Sequence, residues 1–126
     1  MNTPIRTALA LALIGASALA QAQSGAVLSE RNVSLALANQ IASATVAACS
    51  ASGYAVTATV VDRAGNVRAV QRADNAGPHT LEASRLKAYT SASARNTTLA
   101  MMEASQKNPA AANLKDIPGY LLLGGG

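Results

Sequence analysis

The first apolar pattern along the chain has a helical period. Val33, Leu37, Ile41, Ala44 and Ala48 recur every three or four positions. This spacing predicts a helix over residues 29–52 with those five side chains on its buried face, and Ser29 is a suitable capping residue.

The period then changes to two. Over residues 54–62 Val56, Ala58 and Val60 alternate with smaller or polar residues, which predicts a strand with two distinct faces. Asp62 and Gly65 suit a tight turn, so we expect residues 67–72 to pair back on this strand as a hairpin.

Two further helices are predicted after the hairpin, one capped by Thr80 and reaching about residue 95, the other over residues 96–107 and ended by Pro109. Residues 120–123 are apolar and predict a third strand, followed by three glycines. Because a sheet of three strands would leave exposed edges, we expect either a longer domain or pairing with another subunit.

The first 22 residues have the order of a secretory signal peptide. Arg6 precedes an uncharged apolar stretch, and small residues follow at Ala18, Ala20 and Ala22. The apolar stretch is shorter than the roughly 20 residues that span a bilayer, so we expect cleavage and no stable membrane span afterwards. Residues 23–126 would then form one domain in the periplasm or outside the cell.

Charge and composition argue against several functions. Loss of Arg6 with the signal peptide leaves nine basic against six acidic residues, which are scattered, and there are only three tyrosines and no other aromatic residue. We therefore expect no nucleic-acid partner, which would need a dense basic surface or stacking aromatics. The sequence also lacks a G-x-S-x-G elbow and a glycine-rich phosphate loop, and its single histidine excludes a multi-histidine zinc site.

Several motifs, read in order, resemble one family. They are the Val-Val-Asp-x-x-Gly hairpin from Val60, Arg72-x-Asp74 before Gly77-Pro78-His79-Thr80, the run Lys87-Ala88-Tyr89-Thr90, and Pro118-Gly119 with the closing Leu-Leu-Gly-Gly-Gly. The chain resembles the haem-binding, haem-degrading domain family that includes the HbpS and GlcG proteins. The resemblance implies an α/β (α+β) domain with helices packed on an antiparallel sheet, and assembly into homo-oligomers. It also implies that the family's C-terminal strands and helix are missing, so that the domain at residues 23–126 is truncated.

A haem ligand is the cofactor that the resemblance implies, and His79 is the candidate ligand of its iron. His79 precedes a helix, where the dipole disfavours imidazolium and so preserves a lone pair for iron. Arg72 and Lys87 are candidate partners of the haem propionates, and Thr80 and Tyr89 complete the candidate cofactor-binding set. From position alone, the sequence favours a solvated loop residue at His79, surface charges at Arg72 and Lys87, and a packed aromatic residue at Tyr89.

Two functions follow as alternatives. The first is an exported protein that captures, stores or presents haem, with haem degradation implied by the resemblance alone and no catalytic residue assigned. The second is a non-haem accessory or assembly protein of the GlcG type, which binds a partner protein or a small organic acid.

Overall fold

The computed structural model describes residues 27–126. The predicted signal peptide at residues 1–22 lies outside this range. Contacts divide the chain after Arg31, and residues 27–31 are exposed with no regular secondary structure. Within the described range, no helix combines the length and the apolar character that crossing a membrane requires.

Helix α1 spans Leu35–Ala51 and is capped by Ser34, whose Oγ accepts a hydrogen bond of 3.2 Å from the Leu37 amide. The predicted start at Ser29 was therefore wrong. The Asn32 side-chain oxygen accepts hydrogen bonds from the amides of Val33 and Arg63, which holds residues 32–33 as a loop beside the hairpin. Ser34 is the first serine after this loop, and it therefore caps the helix.

The buried face of α1 is also different from the predicted one. Ala38 and Ala42 are fully buried, whereas Leu37 and Ile41 are 48% and 42% exposed. α1 contains no charged residue, so apolar side chains occur on all its sides and their spacing does not single out one face. The alanines face the sheet because their small side chains allow a close approach.

The hairpin is confirmed. Strand β1, Thr57–Val61, pairs antiparallel with β2, Val67–Arg72, with Thr59 opposite Val70 and an irregularity between Val60 and Val61. In the turn, Asp62 Oδ1 accepts hydrogen bonds from the amides of Ala64 (3.0 Å) and Asn66 (2.9 Å). These bonds to the backbone and the Asn66 side chain hold the pKa of the Asp62 carboxyl below its ordinary value.

Two helices cover the two faces of this hairpin. Ala58 and Ala69 form a small core with α1 residues Ala38 and Ala42. On the opposite face β1 contacts helix α2, Thr80–Ala94, through pairs of hydroxyl groups. The alternation read from the sequence is therefore correct, and the molecule has the predicted α+β arrangement of helices on an antiparallel sheet.

The remaining elements are helix α3, Thr98–Lys107, and a 3-10 helix, Pro109–Asp116. Thr80 is the first residue of α2 rather than its cap, because His79 occupies the cap position. Helix α3 begins at Thr98 rather than at the predicted residue 96, and the hydroxyl of its capping residue Thr97 accepts a hydrogen bond from the Ala100 amide. Pro109 ends α3, as predicted, and starts the 3-10 helix.

Residues 120–123 do not form the predicted third strand. The Leu121 amide donates to Thr90 Oγ1 (2.8 Å), and the Leu123 carbonyl accepts from Thr98 Oγ1 (2.7 Å). Thr90 and Thr98 are completely buried. Their hydroxyls bind main-chain groups that a sheet would otherwise use, so this C-terminal segment lies along the helices.

The outer edge of β1 has no strand partner within residues 27–126. Alternate residues of an antiparallel strand direct their amide and carbonyl groups to opposite edges, so part of the β1 backbone faces away from β2. Within the same range, no other segment forms a backbone hydrogen bond with Thr57–Val61.

Candidate functional site

Three of the predicted site residues line one hollow between β1 and α2. His79, Thr80 and Lys87 enclose a volume of about 200 Å³. Its remaining walls are mostly apolar or small: Ala55, Val56, Thr57, Ala83, Ser84 and Leu123. A histidine, a threonine and a lysine therefore line one partly apolar recess.

Thr80 stabilises this recess through its hydroxyl group. Thr80 Oγ1 donates to the Gly77 carbonyl (2.6 Å), and it lies 2.7 Å from Thr57 Oγ1. Because a threonine hydroxyl has one proton, Thr57 donates in the second bond. The pair joins the start of α2 to the start of β1 and fixes the two walls of the hollow.

His79 is exposed and its side chain makes no capping hydrogen bond. Its ring packs closely on Gly77: a Cβ atom built on Gly77 would lie 2.7 Å from Cε1 of His79. The imidazole is therefore positioned by packing on the loop, at the mouth of the hollow.

Lys87 is half-buried, and its Nζ donates to the Gly124 carbonyl at 3.1 Å. An ammonium group has three protons, so this bond leaves two that can bind an anionic ligand. The contact also joins the C-terminal segment to α2, which places Leu123 in the wall of the hollow.

Arg72 and Tyr89 lie elsewhere. The Arg72 guanidinium donates to the Ala76 carbonyl. Tyr89 packs against Gly65 on one side and Gly119 on the other, and its ring meets that of Tyr120 edge-on with 6.3 Å between centroids. Neither residue lines the hollow, so the structure brings three of the five candidates together and gives the other two contacts within the fold.

A second, larger cleft of about 460 Å³ adjoins the hollow and shares Thr57, Ser84 and Lys87 with it. It lies along the open edge of β1, with Ile41 and Thr45 of α1 on one side and residues of α2 on the other. The two depressions therefore adjoin at the side of α2 that carries Ser84 and Lys87.

Helical spacing in the sequence also marks Ser84 and Ser91, two residues of the site that were not predicted. Thr80, Ser84, Lys87 and Ser91 are spaced by three or four residues and so share a face of α2, and all line one or both depressions. Ser84 Oγ lies 2.7 Å from Thr59 Oγ1. This stripe of three hydroxyl-bearing residues and one lysine marks the side of α2 that faces β1.

The other cation near the start of α2 is already paired. Arg85 Nη2 lies 2.6 Å from Glu82 Oε1, and this hydrogen bond lowers the pKa of Glu82 and raises that of Arg85. By contrast, Lys87 has no carboxylate within salt-bridge distance in the described range. Over the same residues, no three side chains of His, Cys, Asp or Glu converge as a metal site.

Comparison with known proteins decides the family. A family model described as "Haem degrading protein HbpS-like" matches residues 33–126. The chain belongs to the HbpS-like family. The family predicted from the hairpin and helix motifs is thereby confirmed, and membership identifies this HbpS-like chain as a haem-related or GlcG-like domain.

Solved structures agree with this assignment. A double mutant of HbpS from Streptomyces reticuli is 34% identical, with a TM-score of 0.73 over 79% of this chain and 66% of that one. A second structure of HbpS is 35% identical (TM-score 0.73; 79% and 69% covered). The Klebsiella pneumoniae protein ORFY, of the DUF336 family, is 28% identical (TM-score 0.74; 79% and 70% covered). The HbpS-like chain thus spans just under two thirds of the double mutant, and no curated protein matches it significantly.

Proposed function

We propose that this chain is an exported haem-binding protein that captures, stores or presents haem. The observation that carries the proposal is that His79 and Lys87 line the same partly apolar hollow. Haem needs an axial ligand for iron, apolar surface for its ring, and cations for its propionates. The hollow offers one of each.

Whether haem fits the hollow can be judged from the volume of the hollow and from the side chains that line it. Sites that enclose a drug-sized ligand measure about 300–1,000 Å³, so the hollow of about 200 Å³ is too small to enclose a macrocycle. We therefore propose that a haem bound here would be partly exposed to solvent, held by His79 and Lys87 at the hollow. Lys87 lies on the boundary of the two depressions, where it can bind a propionate.

When bound, haem would supply a redox-active iron. The roles proposed for this chain are to ligate the iron through the His79 imidazole, to bind a propionate with the Lys87 ammonium, and to cover part of the ring with Val56, Ala83 and Leu123. Arg72 and Tyr89 have only supporting roles in this proposal, since their side chains contact the loop at Ala76 and the glycines beside Tyr89.

Hemin titration tests this function. The Soret band should shift and saturate at one haem per site, and binding should weaken in His79→Ala and in Lys87→Ala. Lys107→Ala is a matched control, because Lys107 pairs with Glu103 on the exposed surface of α3. A loss of affinity equal to that of Lys87→Ala in this control would show that charge alone, rather than the hollow, attracts hemin.

The small volume of the hollow favours a second candidate. A recess of about 200 Å³ with one available ammonium suits a small organic acid, as in the GlcG-type accessory function. Thermal unfolding with succinate distinguishes the two functions. Stabilisation by succinate that is lost in Lys87→Ala, with no hemin binding, would favour the second.

We also propose that the chain assembles with copies of itself. The open edge of β1 and the exposed, uncharged side of α1 at Leu37 and Ile41 support this. An uncharged surface can meet its own copy without repulsion, although the sequence as a whole is positively charged. Light scattering after gel filtration tests it, and a monomer at all concentrations would contradict it.

A further inference from the structure

The imidazole of His79 lies in the space that a side chain at position 77 would occupy. A Cβ atom on Gly77 would be 2.7 Å from Cε1 and 2.9 Å from Nδ1 of His79. Both distances are far below a normal contact between carbon or nitrogen atoms. The present ring position therefore requires glycine at residue 77.

The surface that Gly77 presents to the ring is itself fixed. The Gly77 carbonyl accepts hydrogen bonds from the Thr80 amide (3.0 Å) and from Thr80 Oγ1 (2.6 Å). Pro78 follows and restricts the backbone of the residue before it. By contrast, the His79 side chain makes no hydrogen bond within the described residues. Packing on Gly77 is thus the contact in this part of the chain that determines where the ring lies.

We propose that Gly77 is a positioning residue for His79. With no side chain at position 77, the imidazole can lie at the mouth of the hollow, on the same recess as Lys87. A methyl group at this position would move the ring out of that place. The consequence for haem rests on the function proposed above, whereas the consequence for the ring itself does not.

The variant Gly77→Ala should move the ring without unfolding the protein. Gly77 is not among the glycines with positive φ, so alanine can adopt its backbone conformation. The clash involves the end of an exposed side chain, which can turn to another rotamer at little cost. We therefore expect an unchanged melting temperature and a displaced imidazole.

The position of the ring can be measured without ligand. His79 is the only histidine in the sequence, so its Hε1 proton gives a single, unambiguous NMR signal. In Gly77→Ala this signal should shift and lose its nuclear Overhauser contacts to the other residues that line the hollow. The control is Asn75→Ala, an exposed position in the same loop, which should leave the signal in place. An unmoved His79 signal in folded Gly77→Ala would overturn the inference, whatever the protein binds.

A double-variant cycle tests the consequence for the ligand, with hemin as the probe. Gly77→Ala should weaken hemin binding about tenfold, equivalent to about 1.4 kcal/mol. On the His79→Ala background the same change should have no further effect, because the group that it displaces is absent. An equal loss on both backgrounds would show that Gly77 acts other than through His79. If the unaltered chain binds no hemin, the proposed function fails, and the NMR comparison still decides the role of Gly77.

Discussion

Thr90→Val is the most informative change to the fold around the site. Thr90 is completely buried in α2, where its Oγ1 donates to the Leu86 carbonyl (2.7 Å) and accepts from the Leu121 amide (2.8 Å). Valine has nearly the same shape, so it creates no cavity. It removes the hydroxyl that anchors the C-terminal segment. This segment includes Leu123, which lines the hollow.

The cost can be worked from these two bonds. The Leu86 carbonyl loses a hydrogen bond that is additional to its bond within the helix. The half-buried Leu121 amide, in contrast, loses the acceptor of its hydrogen bond. An unsatisfied buried donor costs about 1–3 kcal/mol. In a domain of this size, each kcal/mol lowers the melting temperature by about 4–8 °C. We therefore expect a fall of about 8–16 °C for a central loss of about 2 kcal/mol.

Thr45→Val is the matched control. Thr45 also donates its hydroxyl to the carbonyl four residues earlier, that of Ile41 at 2.8 Å, but it is exposed and anchors no other segment. Its replacement should change the free energy of unfolding by less than about 0.5 kcal/mol. Calorimetry on both variants checks the difference. Equal stabilities would refute the view that the buried hydroxyl anchors the C-terminal segment.

Three further changes test other parts of the account. Gly65→Ala should destabilise the fold by about 1–3 kcal/mol more than Gly53→Ala in denaturant unfolding. Both glycines have positive φ, but of the two only Gly65 packs against Tyr89. Equal losses of stability would contradict the packing role. Asp62→Asn should be less stable than the unaltered chain at pH 6. The difference in stability should vanish as the pH falls through the pKa of Asp62, which lies below its ordinary value of 3.8, because stability from a carboxyl with a depressed pKa is lost on protonation. A difference that persists in acid would contradict this. Leu37→Glu, on the exposed side of α1, should reduce the oligomer seen by light scattering, and an unchanged mass would exclude this face from the interface.

The parts of the fold that the sequence predicts well are those with a strong local pattern. The alternation over residues 54–62 separates the face of Ala58 from that of Thr59, and Asp62 with Gly65 determines the turn. The extent of α2 also agrees closely with its prediction. In each case the signal itself, an alternation, a pair of turn residues or a helix start, lies within a few neighbouring residues of the sequence.

The wrong predictions depend on contacts that are distant in sequence. The buried face of α1 could not be read from its spacing, because the helix has no charged side to mark the solvent face. The apolar residues 120–123 have the composition of a strand, but Thr90 and Thr98 bind their main-chain groups. For the site, the shared face of Thr80 and Lys87 was predictable from helical spacing, whereas the contact of Lys87 with Gly124 was not.

The central claim is that haem binds at the hollow that His79 and Lys87 share, and a hemin titration of the purified chain and its His79→Ala variant tests it most directly. The account predicts a Soret shift that saturates at one haem per hollow in the unaltered protein and a clearly weaker shift in the variant. Identical titration curves would remove His79 from the site, and a hemin spectrum unchanged by either protein, under oxidising and reducing conditions, would contradict haem binding altogether.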